Sequence, residues 1–181
     1  PCFVLDLTAT PKKESNIISY VDAVQLKNEH MVKLPVIVYN RDSQSEVLID
    51  AIDLRNKLEE IARAEYTKTG KYIRPIALFQ AQPKGKEDAT TFEKLRDKLV
   101  DAGIPAEQIA IRTADVNELK NVELMSLSCP IRYIITVNAL KEGWDCPFAY
   151  ILASLANKTS QVDVEQILGR ILRLPHTSQH T

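Results

Sequence analysis

Residues 131–137 read IRYIITV, and this stretch decides the fold class. Its apolar side chains largely follow one another instead of alternating with polar ones, which is typical of a strand covered on both faces of a sheet. Five further runs have the same character, at residues 3–7, 35–39, 73–79, 109–111 and 150–155. The sequence therefore predicts a buried, mainly parallel β-sheet.

Helical patterns lie between these runs. One spans residues 43–68 and another spans 86–102, and each is followed by a glycine, Gly70 or Gly103, that can end a helix. The apolar side chains predicted to face the core are Val47, Ala51, Leu54, Leu58 and Ile61 in the first pattern and Phe92, Leu95 and Leu99 in the second. Strands that alternate with helices predict a parallel sheet with helices on both faces and its chemistry at the carboxyl ends of the strands. Residues 24–40 are less regular and predict an antiparallel pair at the sheet edge.

Length, charge and cysteine content limit the possible functions. A chain of 181 residues makes one domain with room for a fragment of a second. The net charge of -1 gives no general attraction to nucleic acid, so such a partner would have to meet a local basic surface or backbone amides. Cys2, Cys129 and Cys146 are widely spaced, which predicts neither a zinc site nor a disulfide framework and favours a reducing compartment.

Hydropathy predicts a chain without membrane contacts. No apolar run approaches the roughly 20 residues that span a bilayer, and no basic-then-apolar leader is present. We therefore expect a cytoplasmic protein, and we expect no metal site in this chain.

Residues 164–175, VEQILGRILRLP, form an amphipathic helical pattern with an unusual polar side. At about 100° per residue, four residues fall on one narrow stripe and four apolar residues fall on the other side. The polar stripe holds Gln166, Gly169, Arg170 and Arg173, and the apolar side holds Ile167, Leu168, Ile171 and Leu172. Two guanidinium groups one turn apart are suited to the oxygens of a phosphate. Alternatively, they form surface ion pairs with carboxylates such as Asp163 or Glu165.

A second segment, residues 133–147, reads YIITVNALKEGWDCP. Gly143 permits a backbone conformation or a close approach that other residues do not, and Asp145 could accept hydrogen bonds from a sugar hydroxyl. Taken alone, these residues indicate only a turn.

The two segments together resemble the fifth and sixth motifs of the superfamily 2 helicases and translocases. The sixth motif has the pattern QxxGRxxR, matched by Gln166, Gly169, Arg170 and Arg173. LTATP at residues 7–11 resembles the third motif, and RPIALFQ, ending at Gln80, stands where the fourth motif strand would be. The residues of both segments are most similar to those of the Res subunit of type III restriction enzymes.

This resemblance implies a RecA-like three-layer sandwich, with a mainly parallel central sheet and helices on both faces. Residues 1–11 would be the last strand of a first motor domain and the start of a linker. Residues 12–181 would be the second RecA-like domain, the helicase C-terminal domain.

The resemblance also implies roles for the matched residues. Arg170 and Arg173 would be arginine fingers that reach the terminal phosphates of ATP held by the other domain, and Gln166 would line the same cleft. The further implied residues are Gly143, Asp145 and Gly169 for the nucleotide, Thr8, Ala9 and Thr10 for coupling hydrolysis to movement, and Gln80, Thr113 and Asn138 for the DNA backbone. For Gln80 and Thr113 the alternative is an ordinary loop residue after a strand. The family's motif threonine aligns better with Val137, which has no hydroxyl, than with Thr136.

The phosphate-binding pattern GxxxxGK[ST] and an acidic pair for magnesium are not found in this sequence. We therefore expect ATP and Mg²⁺ to be bound mainly by the first domain of a full-length enzyme, and we expect this chain not to hydrolyse ATP alone. The expected partners are the DNA backbone, the first motor domain of the same chain and a methyltransferase (Mod) subunit. No nuclease motif is visible. Two alternatives remain open, a repair or RNA helicase and an α/β interaction domain without nucleotide.

Overall fold

The computed structural model describes residues 23–28, 37, 39, 41–83, 90–137, 148–155 and 171. Their centre is a four-stranded sheet whose strands are, in chain order, β1 (Ile76–Gln80), β2 (Ile109–Arg112), β3 (Tyr133–Thr136) and β4 (Ala149–Ser154). The helices are α1 (Ala23–Asn28), α2 (Gln44–Thr69) and α3 (Phe92–Asp101), with a short 3-10 turn at Ala106–Gln108. All three strand pairings are parallel, so the predicted α/β class with a parallel sheet is confirmed.

The strand order in space is β2-β3-β1-β4. From β1 the chain passes through α3 to β2, two positions away, and it then returns to β3 between them. It next crosses to β4 on the other side of β1. The chain thus leaves the central pair of strands in opposite directions, which is the arrangement that places ligands at the carboxyl ends of open parallel sheets.

Four of the predicted strands are confirmed with small shifts at their ends. Strand β1 begins at Ile76, directly after Pro75, because proline has no N–H to donate to a neighbouring strand. The predicted strand at residues 3–7 lies outside the described residues. In the run 35–39, only Ile37 and Tyr39 are described, and both are exposed and outside any strand.

The antiparallel pair predicted for residues 24–40 is wrong at its start, where the chain forms the helix α1. The residues of this helix, AVQLKN, include alanine, leucine, lysine and glutamine. All four are good helix formers, and no β-branched run follows Val24 within the helix.

The two faces of the sheet are covered differently in the described part of the chain. On the first face, α2 and α3 pack on the sheet through Leu48, Ala51, Leu95 and Leu99. On the second face, Ile76, Leu78, Ala110 and Ile134 are covered by Leu119, Cys129, Ile131, Phe148 and Ile171. The prediction of helices on both faces is thus confirmed for the first face, which α2 and α3 cover. On the second face, the described cover is an irregular segment and the helical residue Ile171.

Helix α2 has the predicted ends but a different buried face. The side chain of Ser43 accepts a hydrogen bond from the Glu46 N–H, and Gly70 ends the helix in the left-handed conformation at φ 70°. Leu54 and Ile61, predicted to face the core, are 36% and 64% exposed, whereas Arg55 and Glu59 are buried. The charged pair can be buried because its two members bond to each other, as described below.

Helix α3 begins later than predicted. Thr90 and Thr91 are described and not helical, and the Thr91 side chain accepts a hydrogen bond from the Lys94 N–H as the N-cap. The helix therefore starts at Phe92 and not at residue 86. The inward positions Leu95 and Leu99 are confirmed, and Phe92 packs partly against them.

Candidate functional site at the carboxyl edge of the sheet

A row of polar residues ends the four strands. Arg112 is in register with Thr136, Thr136 with Gln80, and Gln80 with Ser154. Because side chains alternate along a strand, the row projects to the same face as Ala110, Ile134, Leu78 and Leu152, which pack in the second-face cluster. The carboxyl edge of the sheet is therefore polar directly beside the apolar cluster that also contains Ile171.

Gln80, the candidate DNA contact, lies in this row and is largely enclosed. Its side chain is 8% exposed, and its Oε1 accepts a hydrogen bond of 3.0 Å from the Ser154 hydroxyl. Its backbone carbonyl accepts a hydrogen bond from the N–H of Leu155. These contacts fix the orientation of the Gln80 amide between β3 and β4, while Thr136 beside it is fully buried.

Thr113, the second candidate, follows β2 and closes a tight turn. Its hydroxyl accepts a hydrogen bond of 3.0 Å from the Val116 N–H, and its own N–H donates to the Val116 carbonyl at 2.7 Å. Two strand spacings, about 10 Å, separate the ends of β2 and β1. The structure therefore places Gln80 and Thr113 at the same edge but not in contact. The Thr113 hydroxyl stabilises its own turn through the bond from Val116.

The other predicted site residues lie outside the described residues. They are Thr8, Ala9, Thr10, Asn138, Gly143, Asp145, Gln166, Gly169, Arg170 and Arg173. Within the segment 164–175, Ile171 alone is described, and it is helical and 6% exposed in the second-face cluster. Its burial agrees with its predicted position on the apolar side of that helix. Val137 is half-buried and packs on the first face.

Sequence reasoning did not find a closed ring of hydrogen bonds at the same edge. Its members are Gln44 at the start of α2, Gln82 after β1, Thr90 before α3 and Leu155 after β4, and we call it the carboxyl-edge ring. The Leu155 carbonyl accepts from Gln82 Nε2 at 2.8 Å and from Gln44 Nε2 at 3.3 Å. Thr90 completes the ring, donating its N–H to Gln82 Oε1 at 3.2 Å and its hydroxyl to Gln44 Oε1 at 2.6 Å.

The carboxyl-edge ring joins the beginnings of two helices to the ends of two strands. Its hydrogen bonds link residues from 8 to 111 positions apart in the chain. A glutamine gives no sign in the sequence that it belongs to such a ring. The four residues meet only because the topology of the fold brings them together. Each amide uses both its oxygen and its nitrogen in the ring, so the two side chains are held in one orientation.

A cluster of charges lies at the opposite, amino edge. Arg55 Nη2 donates to Glu59 Oε2 at 2.6 Å, while Arg63 Nε and the Tyr72 hydroxyl both donate to Glu59 Oε1. Burial by itself raises the pKa of Glu59, but the hydrogen bonds from Tyr72 and Arg63 and the charge of Arg55 outweigh burial and lower it. Burial and the hydrogen bond to Glu59 raise the pKa of the Tyr72 hydroxyl.

Arg74 completes the amino edge and has a structural task. Its side chain is 1% exposed and donates to the backbone carbonyls of Leu124, Ser126 and Leu127, so it holds the segment that covers the second face. Burial lowers the pKa of Arg74. Because the partners of these charges are within the fold, the amino edge is an internal charge network and not the better candidate for a ligand.

The described residues contain no cluster of three or more histidine, cysteine, aspartate or glutamate side chains that could hold a metal ion. Among the same residues, no helix is long and apolar enough to cross a membrane. No family model matches the sequence, and no curated protein or solved structure matches it. The resemblance to superfamily 2 therefore rests on the motif residues themselves.

Proposed function

We propose that this chain is the second RecA-like motor domain of an ATP-dependent DNA translocase or helicase, of the kind found in type III restriction endonucleases. The observation that carries the proposal is the burial of Ile171 against the second face of an all-parallel sheet. This residue belongs to the segment that holds the pattern QxxGRxxR, residues 166–173. Its burial supports a helix docked on the sheet by its apolar side.

Helical geometry then gives a direction to the two arginines. In a regular helix, residues are about 100° apart, so Arg170 would lie about 100° and Arg173 about 160° around the helix axis from Ile171. Guanidinium groups in those directions would point away from the centre of the apolar side and would suit the phosphate oxygens of a nucleotide held by a neighbouring domain. This is the arrangement that an arginine finger requires.

The chemistry of the proposed site is the stabilisation of charge during phosphoryl transfer. ATP and Mg²⁺ would be bound mainly by the first motor domain, and Mg²⁺ would neutralise part of the phosphate charge. From this chain, Arg170 and Arg173 would donate hydrogen bonds to the terminal phosphate oxygens, with Gln166 in the same cleft and Gly143, Asp145 and Gly169 near the nucleotide. Thr8, Ala9 and Thr10 would couple hydrolysis to movement.

DNA would be held through its backbone and not through its bases. Gln80 and Thr113 lie at the carboxyl edge, with Asn138 as a third candidate. Contacts of this kind position nucleic acid without reading its sequence. A methyltransferase (Mod) subunit is a further proposed partner, and the cytoplasm is the proposed location.

The test is the DNA-stimulated hydrolysis of ATP by this chain joined to the first motor domain. We expect Arg170→Ala and Arg173→Ala each to lower kcat by about 10³, the usual effect of losing an arginine finger. The matched control is Arg63→Ala on α2. The Arg63 side chain is 73% exposed and bonds to Glu59 at the amino edge, away from the proposed site, so its loss is expected to leave kcat within about twofold.

The outcomes separate the proposed function from its alternatives. A kcat within a few-fold of normal in both arginine variants would show that they are not fingers. Stronger stimulation by RNA than by duplex DNA would favour an RNA helicase. If no hydrolysis is found in the joined protein with either nucleic acid, the interaction-domain alternative is favoured.

A further inference from the structure

The carboxyl-edge ring holds the chain at the point where it leaves β4. The backbone of Leu155 is bonded in both directions, with its N–H donated to the Gln80 carbonyl at 3.0 Å and its carbonyl bonded to Gln82 and Gln44. The Leu155 side chain is buried in the first-face cluster at 4% exposure. Leu155 is therefore fixed in position and in direction.

Gln82 is the most important member of the ring. It is buried, its backbone N–H donates to the Thr90 carbonyl at 2.9 Å, and its side chain makes the shorter of the two bonds to the Leu155 carbonyl. Gln82 follows β1, and Leu155 follows β4, which pairs with β1. One buried side chain thus connects the exits of two neighbouring strands.

Fifteen residues lie between Leu155 and Ile171, and both ends are anchored, the first by the ring and the second by the second-face cluster. The residues Gln166 and Arg170 lie within this interval. We propose that Gln82 is a positioning residue, whose amide fixes the exit of the chain from β4 and thereby the approach of the segment that carries Gln166, Arg170 and Arg173. The catalytic consequence rests on the proposed function, whereas the anchoring does not.

The anchoring can be tested by hydrogen exchange in this chain. Gln82→Glu keeps the size of the side chain and the acceptor for the Thr90 N–H but removes the donor to the Leu155 carbonyl. We expect peptides covering residues 148–155 to exchange about tenfold faster, because one hydrogen bond that opposes local opening at the end of β4 is lost.

The matched control is Gln80→Glu. It introduces the same buried carboxylate two residues away, but Gln80 contributes only its oxygen to the bond with Ser154, and a carboxylate keeps that acceptor. Exchange in residues 148–155 is expected to stay within about twofold of the wild type. Equal acceleration in both variants, or none in Gln82→Glu, would overturn the inference.

If Gln82→Glu does not fold, Gln44→Met provides a second test of the anchoring. Gln44 is half-buried, and its loss removes the longer bond to the Leu155 carbonyl, so a smaller increase in exchange of residues 148–155 is expected. Unchanged exchange in this variant would also count against the ring as an anchor.

The catalytic consequence is measured in the joined motor, alongside Arg170→Ala. For Gln82→Glu we expect kcat to fall ten- to hundredfold with the KM for ATP unchanged, because the fingers are misplaced while the first domain still binds ATP. A normal kcat in Gln82→Glu together with an inactive Arg170→Ala would refute the positioning role and leave the proposed function intact. A normal kcat in Arg170→Ala would refute the proposed function and leave the exchange result to decide the anchoring.

Discussion

Glu59 is the residue on which the internal charge network of the amino edge depends. Its carboxylate accepts hydrogen bonds from Arg55, Arg63 and Tyr72, and Arg55 also lies over the Tyr133 ring at 5.8 Å. We expect Glu59→Gln to lower the free energy of unfolding by roughly 3 kcal/mol, because it leaves the buried guanidinium of Arg55 without its counter-charge. Urea unfolding measures this loss, with the exposed neighbour Glu60→Gln as the control.

A comparison of the wild type with Glu59→Gln also tests why Glu59 stabilises the fold. Folding lowers the pKa of Glu59, so its ionised form is stabilised in the folded state. That contribution is present above the unfolded pKa of about 4.3 and is lost as the pH falls through the folded value. The difference in unfolding free energy between the wild type and Glu59→Gln is therefore expected to be largest near neutral pH and to shrink below about pH 4. A difference that does not change with pH would contradict this origin.

At the scale of single elements, the ends of α2 were predictable and its buried face was not. Ser43 and Gly70 mark the ends through short-range chemistry that sequence shows directly. The buried face was misjudged because Arg55 and Glu59, which bond to each other along α2, also find partners from elsewhere, the Pro75 carbonyl and the Tyr72 hydroxyl. Tertiary contacts of this kind override the preference of charged residues for water.

Strand β2 lies at one edge of the described sheet and is protected by a carboxylate. Glu118 Oε2 accepts a hydrogen bond of 2.8 Å from the Ile111 N–H, and the Glu118 N–H donates to the Ile111 carbonyl at 3.0 Å. Arg96 of α3 holds the other carboxylate oxygen at 3.0 Å. An edge strand with unpaired N–H groups can pair with another chain, and Glu118 removes one such group.

We expect Glu118→Ala to cost about 1–2 kcal/mol of unfolding free energy and to promote association, since the Ile111 N–H loses its acceptor. Urea unfolding and light scattering at increasing protein concentration measure the two effects. Glu118→Gln keeps an acceptor oxygen and should behave more nearly like the wild type. If light scattering by Glu118→Ala does not rise with concentration, Glu118 does not protect the edge.

For the whole molecule, continuous apolar runs alternating with helical patterns correctly predicted the four strands of the described sheet and their parallel arrangement, but not their order in space. The order β2-β3-β1-β4 depends on the crossovers, which leave no local pattern in the sequence. Of the candidate DNA contacts, the sequence placed Gln80 and Thr113 at strand ends, and the structure has Gln80 as the last residue of β1 and Thr113 directly after β2. The carboxyl-edge ring was not predictable, because Gln44, Gln82 and Leu155 meet only once the strand order is known.

The charge of the whole chain leads to the last prediction. With 23 lysine and arginine against 24 aspartate and glutamate residues, the chain cannot attract DNA by its net charge. The polar row at the described carboxyl edge contains a single arginine, Arg112, so contact with DNA there would release few counterions. We expect this chain alone to bind duplex DNA weakly, with affinity that falls as salt rises and does not depend on sequence. Fluorescence anisotropy with two unrelated duplexes over a salt series measures this, and tight binding to only one duplex at physiological salt would contradict it.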